Sequence, residues 1–273
     1  MADLNAQGSG MRKSYALPVF FALLLLCGAV PAMDRYGKQC RRYAGPVTGI
    51  NDPRLPRLLV DTPLDVYHAW KKLGVHGRTI LLVTDRWKKL STSELFPEIP
   101  MYRRYPLSLY RIPSVMEENY LTSDNYLYVA ALNGITRRVV ALLPAQGYAE
   151  MTHAAHSAKN SRIEPDSVYL THQGFPRWFT TGGYLRHEHE PVLLYVEAAY
   201  FLEEEPEHLY RMLLDAGIRT DSLILCRGKG DIRITPREIG RLERFATLAG
   251  FAAGARSSLD RSPEVSRSPG GNQ

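Results

Sequence analysis

The sequence predicts an α/β fold, a mainly parallel sheet flanked by helices, and three observations carry that prediction. First, "PLDVYHAWKKLGVHGRTILLV" from Pro63 is echoed by "PEHLYRMLLDAGIRTDSLILC" from Pro206: a proline, a tyrosine four residues on, a glycine seven further, Val or Ile, then an apolar run. Second, "SVYLTH" and "PVLLYVEAAYF" are continuously apolar rather than alternating, as strands covered on both faces are. Third, helical and extended patterns alternate through the body of the chain, which is the signature of β-α-β units. A partial β/α barrel satisfies the same pattern.

The elements follow in order. A strand ends at Val60, and Asp61 or Thr62 caps a helix whose first turn accepts Pro63 because the missing N–H has no partner there. Val66, Tyr67, Trp70 and Leu73 form its buried stripe, Gly74 ends it in a left-handed cap, and Thr79 to Val83 returns to the sheet. A fainter third unit, "SDNYLYVAALNGITRRVVALLP", starts at Ser123 and Asp124, is capped at Gly134 and leads to a strand over Val139 to Leu143; an Asn-Gly hairpin is its alternative. A helix over Tyr148 to Lys159 precedes the two apolar runs. In the Pro206 unit, Leu209, Tyr210, Leu213 and Ala216 form the stripe, Gly217 the cap and Ser222 to Cys226 the strand, and a final helix runs from Pro236 to Phe251 behind the cap residue Thr235. The repeat is therefore architecture, the ordinary way an α/β chain turns from helix back to sheet.

Outside this body, residues 55–253, the sequence reads differently. "MRKSYALPVFFALLLLCGAVPA" has a basic start, an uncharged apolar core and a small-residue exit at Val30, Pro31 and Ala32, the logic of a signal peptide over residues 1–32 with translation starting at Met11. Export to a periplasm or to the medium is the expectation; an uncleaved anchor, since Tyr15 to Met33 is 19 uncharged residues, is the alternative and the only predicted membrane contact. Lipidation at Cys27 is disfavoured by Leu26 before it. Residues 33–54 read as an irregular segment, and residues 254–273, rich in Ser, Pro, Gly and Arg, as a disordered tail.

The net charge of +6 becomes +5 once Asp3, Arg12 and Lys13 leave with the leader. So small an excess, spread along the chain, argues against nucleic acid as a partner. Cys40 and Cys226 remain and are permitted to pair in an oxidising compartment.

Candidate chemistry is read from position. Beyond the carboxyl ends of parallel strands lies the crevice where open α/β sheets bind ligands. That places Asp85, His172 and Glu197 as catalytic candidates, because a carboxylate inside "LLVTDRW" or "LLYVEAAYF" is costly to bury unless paired or ligated. The loop "THQGFPRWFTTGG" joins His172 to Arg177, and "RGKGD" adds Arg227 and Lys229 as anion donors. The long insertion "WKKLSTSELFPEIPMYRRYPLSLYRIP", with Arg86 before it and Tyr102 and Tyr105 within it, reads as a lid or binding wall. A divalent metal is a conceivable cofactor, with His153 and His156 three apart on a helix and His187 and His189 two apart in "RHEHEP" as weak ligand pairs. No GxSxG, Walker, GxGxxG, HExxH or CxxC signature is present. The expected function is a hydrolase acting on a small or saccharide-like anionic ligand of the cell envelope. The alternative is a noncatalytic envelope protein that binds a ligand or partner through the Tyr/Arg-rich segment 86–113.

Overall fold

The computed structural model describes residues 47–85, 121–172 and 175–251. The leader with Cys27, Cys40, most of the segment 33–54, the wall residues Arg86, Tyr102 and Tyr105 with the rest of 86–113, and the tail 254–273 lie outside the described residues.

The described residues build one mixed sheet of nine strands: β1 (Thr48–Gly49), β2 (Arg57–Val60), β3 (Arg78–Val83), β4 (Thr136–Leu142), β5 (Ser161–Ile163), β6 (Val168–His172), β7 (Phe175–Thr180), β8 (Val192–Glu197) and β9 (Arg219–Cys226). Their spatial order is β1-β9-β8-β3-β4-β7-β6-β5, with β2 joining β1 on the outer side of β9. The six strands from β2 to β7 through β9, β8, β3 and β4 pair in parallel. The edges are antiparallel: β1 on β9, and the meander β5-β6-β7. The class expected from the sequence holds, and the parallel pairing is confined to the middle of the sheet.

Five helices accompany it: α1 (Pro63–Leu73), α2 (Tyr126–Leu132), α3 (Ala145–His156), α4 (Pro206–Asp215) and α5 (Pro236–Leu248), with 3-10 helices at Gly183–His187 and Ala198–Leu202. One face of the sheet carries α1 and α2, whose Trp70 and Tyr126 rings meet Tyr195 of β8. The other face takes the alternate positions Leu81, Val83, Leu194, Val196, Leu223 and Leu225, packed under Leu209 and Leu213 of α4 and Leu242 and Phe245 of α5. Leu or Phe buried in this way contributes about 1.5–3 kcal/mol per side chain, which is why periodic apolar positions decide where helices lie.

The repeated unit closes as its letters predict. Gly74, Gly134 and Gly217 all have φ between 64° and 72°. In each unit the next residue's N–H donates back to a carbonyl five residues earlier: Val75 to Trp70, Ile135 to Ala130 and Ile218 to Leu213. This is a Schellman closure, in which a left-handed residue lets the chain leave the helix while satisfying its last carbonyls. The helix reading of "SDNYLYVAALNGITRR" is therefore correct and the hairpin alternative is not. At the start of α1 the cap is Thr62, in a capping box with Asp65, so Asp61 is released for another contact. Thr235 and Glu238 form the same box at α5.

Three expectations change. Thr48 and Gly49, inside the stretch read as irregular, add a two-residue strand to β9, too short to leave a periodic signal. Residues 175–180 of the segment read as a loop form strand β7. Pro176 disguised it, but β4 pairs only with Arg177 to Thr180, so the proline sits ahead of that ladder, where no N–H is demanded of it by β4. Finally β6, read as a parallel strand, runs antiparallel to β7.

Buried ion pairs fix the amino ends of the strands. Arg78 binds Asp221, whose side chain is fully buried. Arg138 donates to both oxygens of Glu188 at 2.6 and 2.7 Å and to Thr79 Oγ1 at 2.8 Å, with its guanidinium over the Trp178 ring. Burial raises the Asp221 and Glu188 pKa values even though Arg78 and Arg138 pull them down.

Candidate functional site

The chain leaves β3 toward β4 on one side, whereas it leaves β8 toward β9 on the other. The connections thus diverge between the carboxyl ends of two adjacent strands, the point at which an open α/β sheet leaves a crevice. Thr84 and Asp85 follow β3, and Glu197 ends β8.

Register brings these residues together. Val83 lies beside Val196, so the next residues, Thr84 and Glu197, are neighbours and Thr84 Oγ1 donates to Glu197 Oε2 at 2.7 Å. The Tyr195 hydroxyl donates to Glu197 Oε1, also at 2.7 Å. Glu197 is 2% exposed, and one hydroxyl donor per carboxylate oxygen offsets part of the cost of burying it. Beneath lie Trp70, Tyr126 and Tyr195, ring against ring. Burial pushes the Tyr126 and Tyr195 phenols well above their ordinary pKa, which keeps Tyr195 protonated as the donor to Glu197. The Trp70 Nε1–H is buried here without a hydrogen-bond acceptor. Cys226, opposite Glu197 in register, is buried with Sγ 3.7 Å from the Asp61 carbonyl oxygen; its expected partner Cys40 lies outside the described residues.

Asp85 stands above this network, 7% exposed. Its carboxylate is bound by the guanidinium of Arg233, which also holds Asp231 through Nη2 at 2.6 Å and Nε at 3.1 Å. Partial burial opposes the Arg233 charge, but the two carboxylates outweigh it and raise its pKa. The first turn of α3 presses from the side: a Cβ at Gly147 would stand 2.7 Å from the Asp85 carbonyl oxygen. Glu203, exposed just past the 3-10 helix Ala198–Leu202, lies within range of the Asp85 charge. Its pKa is raised by partial burial and then by the negative charges of Asp85, Glu204 and Glu150.

Two of the three catalytic candidates, Asp85 and Glu197, therefore meet at the switch point. His172 does not join them: it pairs with Phe175, the first residue of β7, and β7 is parallel to the central strands. His172 thus lies at their amino-end edge, three strands away from β3, because the hairpin reverses β6. Arg177 is likewise misplaced as a ligand residue. It is 4% exposed on β7, and Nη1 donates to the Tyr128 hydroxyl at 2.9 Å. Burial pushes the Tyr128 phenol up to about 12, against the pull of Arg177.

Arg227 is at the carboxyl edge but binds Asp61 at 3.1 Å and Glu243 at 3.9 Å. Lys229 is exposed and its backbone N–H donates to the Asp61 carbonyl, so "RGKGD" acts as a turn fastened to β2. His153, His156, His187 and His189 are all exposed, and among the described residues no group of three or more His, Cys, Asp or Glu could hold a metal ion.

Position in the sequence did not reveal Arg233 or Glu203. Arg233 reaches Asp85 across 148 residues, and nothing local marks it. Glu203 begins the acidic run "EEEPE" directly behind an apolar stretch, the one local sign that points to it. The fold and site define an α/β protein with the carboxylates Asp85 and Glu197 gathered at the carboxyl edge of a mixed sheet. Comparison with known proteins adds no relative: no family model, no curated protein and no solved structure matches the chain.

Proposed function

We propose that the protein is an exported hydrolase acting on a small, saccharide-like ligand in the crevice between β3 and β8. The observation that supports this most is the pair formed by Asp85 and Glu203. Asp85 is bound by the Arg233 guanidinium, while Glu203 has its pKa raised by partial burial and then by neighbouring negative charge, Asp85 included. A carboxyl group inclined to keep its proton, beside a carboxylate bound to a guanidinium, is suited to act as the acid in proton transfer. In the reaction, water attacks the scissile centre and gives a proton to Asp85, the bond to the leaving oxygen breaks, and Glu203 supplies that oxygen with its proton. Glu197 is a positioning residue, holding Thr84 and with it the end of β3.

The carboxylates Asp85, Glu197 and Glu203 at this edge favour a hydroxylated ligand over the anionic one expected from composition. Export rests on the leader sequence alone. The alternative, a noncatalytic envelope protein binding through residues 86–113, is supported by that segment following Asp85 directly in the chain.

The test is release of chromophore from a panel of nitrophenyl glycosides and esters by the wild type, Glu203→Gln and Asp85→Asn. Turnover by the wild type that is lost in both variants, with Glu203→Gln still folded, supports the reading. A wild type that turns over none of the panel and binds no oligosaccharide by calorimetry sinks it, as does a Glu203→Gln variant with undiminished rate.

A further inference from the structure

A cavity of about 750 Å3 opens on the face of the sheet covered by α4, between that helix and the turn that follows β7. Its size falls in the range of small-molecule pockets, and it shares no residue with the crevice at Asp85. We propose that it is a separate binding site for a small oxyanion, a carboxylate or phosphate that also carries hydroxyl or amino groups.

The charge arrangement carries the inference. Arg186, from the 3-10 helix after β7, and Arg211, from the middle of α4, line the same cavity, and among the described residues neither has an ion-pair partner. Arg211 spends only Nε on the protein, donating to the Glu207 carbonyl at 3.3 Å, which leaves both terminal amino groups of its fork for a ligand. Planar forks of this kind recognise carboxylate and phosphate oxygens in pairs.

An acceptor is oriented by its neighbour. Glu204 holds His208 Nδ1 at 2.9 Å, so the ring is fixed with Nε2 as its remaining polar atom on the cavity wall. Fixing one imidazole nitrogen sets the role of the other. His187 lines the cavity beside Arg186, its ring against Tyr184.

The wall is built, with main chain held close to side chains of two elements. Gly182 has φ 130°, and a Cβ there would stand 2.7 Å from Met212 Sδ of α4. A Cβ at Gly183 would stand 2.9 Å from Asp166 Oδ1. The Thr180 hydroxyl accepts from the backbone N–H groups of Gly182 and Tyr184 and holds the turn in this shape. Asp166 and Asp215 also line the cavity. They balance the two arginines in formal charge, which disfavours a polyanion, and supply acceptors for hydroxyl or amino groups, which defines the ligand class.

Isothermal calorimetry on the mature chain tests this with inorganic phosphate and with malate, each against chloride at matched ionic strength. Saturable binding of at least one probe is expected, weakened roughly tenfold or more in Arg186→Ala and in Arg211→Ala, as loss of a charged hydrogen bond implies. Arg237→Ala, which removes an exposed cation from the first turn of α5, should leave it unchanged. Binding of malate alone assigns the carboxylate class, and of phosphate alone the phosphate class. No binding of either above chloride overturns the proposal, and so does binding that survives both cavity variants. Because the readout is binding, its failure is distinct from any failure of the hydrolase reading.

Discussion

Two glycine-to-alanine substitutions of identical chemistry should move stability in opposite directions. Gly240 lies within α5, is exposed, and a Cβ built there meets nothing within 4 Å. Alanine at such a site gains about 0.5–1 kcal/mol because the unfolded chain has less freedom to lose and the helix is favoured. Gly147 lies in the first turn of α3 and collects the same gain. Its new Cβ, however, would sit 2.7 Å from the Asp85 carbonyl oxygen, where ordinary contact needs about 3.5 Å. The obstacle is main chain at the end of β3, not a flexible side chain, so the helix must shift by something on the order of 0.8 Å.

Overpacking of this sort costs about 1–3 kcal/mol, which exceeds the propensity gain. The two variants should therefore differ by about 2 kcal/mol, or roughly 4–8 °C in Tm at ~2–4 °C per kcal/mol for a domain of this size. Thermal and urea unfolding followed by circular dichroism measure it. If Gly147→Ala proves as stable as Gly240→Ala, α3 does not press on Asp85 and the packing of the crevice has been misread.

The remaining predictions use the same logic. Folding raises the Glu203 pKa, so the folded state binds that proton more tightly and its charged form costs stability; the cost is absent below the ordinary Glu value and appears as pH rises through the folded one. Glu203→Gln should accordingly raise Tm slightly at pH 7 and not at pH 3.5, and an unchanged difference across that range would contradict the cause given. Arg78→Ala should lose about 3 kcal/mol in urea unfolding, because it strands the fully buried Asp221 carboxylate without its cation. Thr235→Ala should cost about 1 kcal/mol through its lost cap. It should also let the Glu238 pKa, held down chiefly by the Thr235 hydroxyl, rise toward the ordinary Glu value in an NMR titration.

How much was legible follows from the range of the interactions involved. The helix, glycine and strand unit is closed by hydrogen bonds spanning five residues, Trp70 to Val75 among them, so its letters sit together and can be read together. The caps at Thr62 and Thr235 are equally local. The buried carboxylates Asp85 and Glu197 were legible too, since a charge next to a continuous apolar run needs a reason to be there. Arg177 obeyed the same rule and was misassigned, because a partner such as Tyr128, 49 residues away, leaves no mark beside it.

By itself, then, the sequence determined the class of fold, the helix, glycine and strand units, the caps at Thr62 and Thr235, and the burial of the central strands, because each depends on backbone sterics, nearby hydrogen bonds and apolar periodicity. Only the tertiary structure decided strand order and direction. Those set the divergence between β3 and β8, carry His172 to the far edge, and bring Arg233 to Asp85 and Glu203 within range of its charge. The physical reason is that pairing between distant strands is chosen by the joint burial of all their faces, a quantity no single stretch of the chain contains.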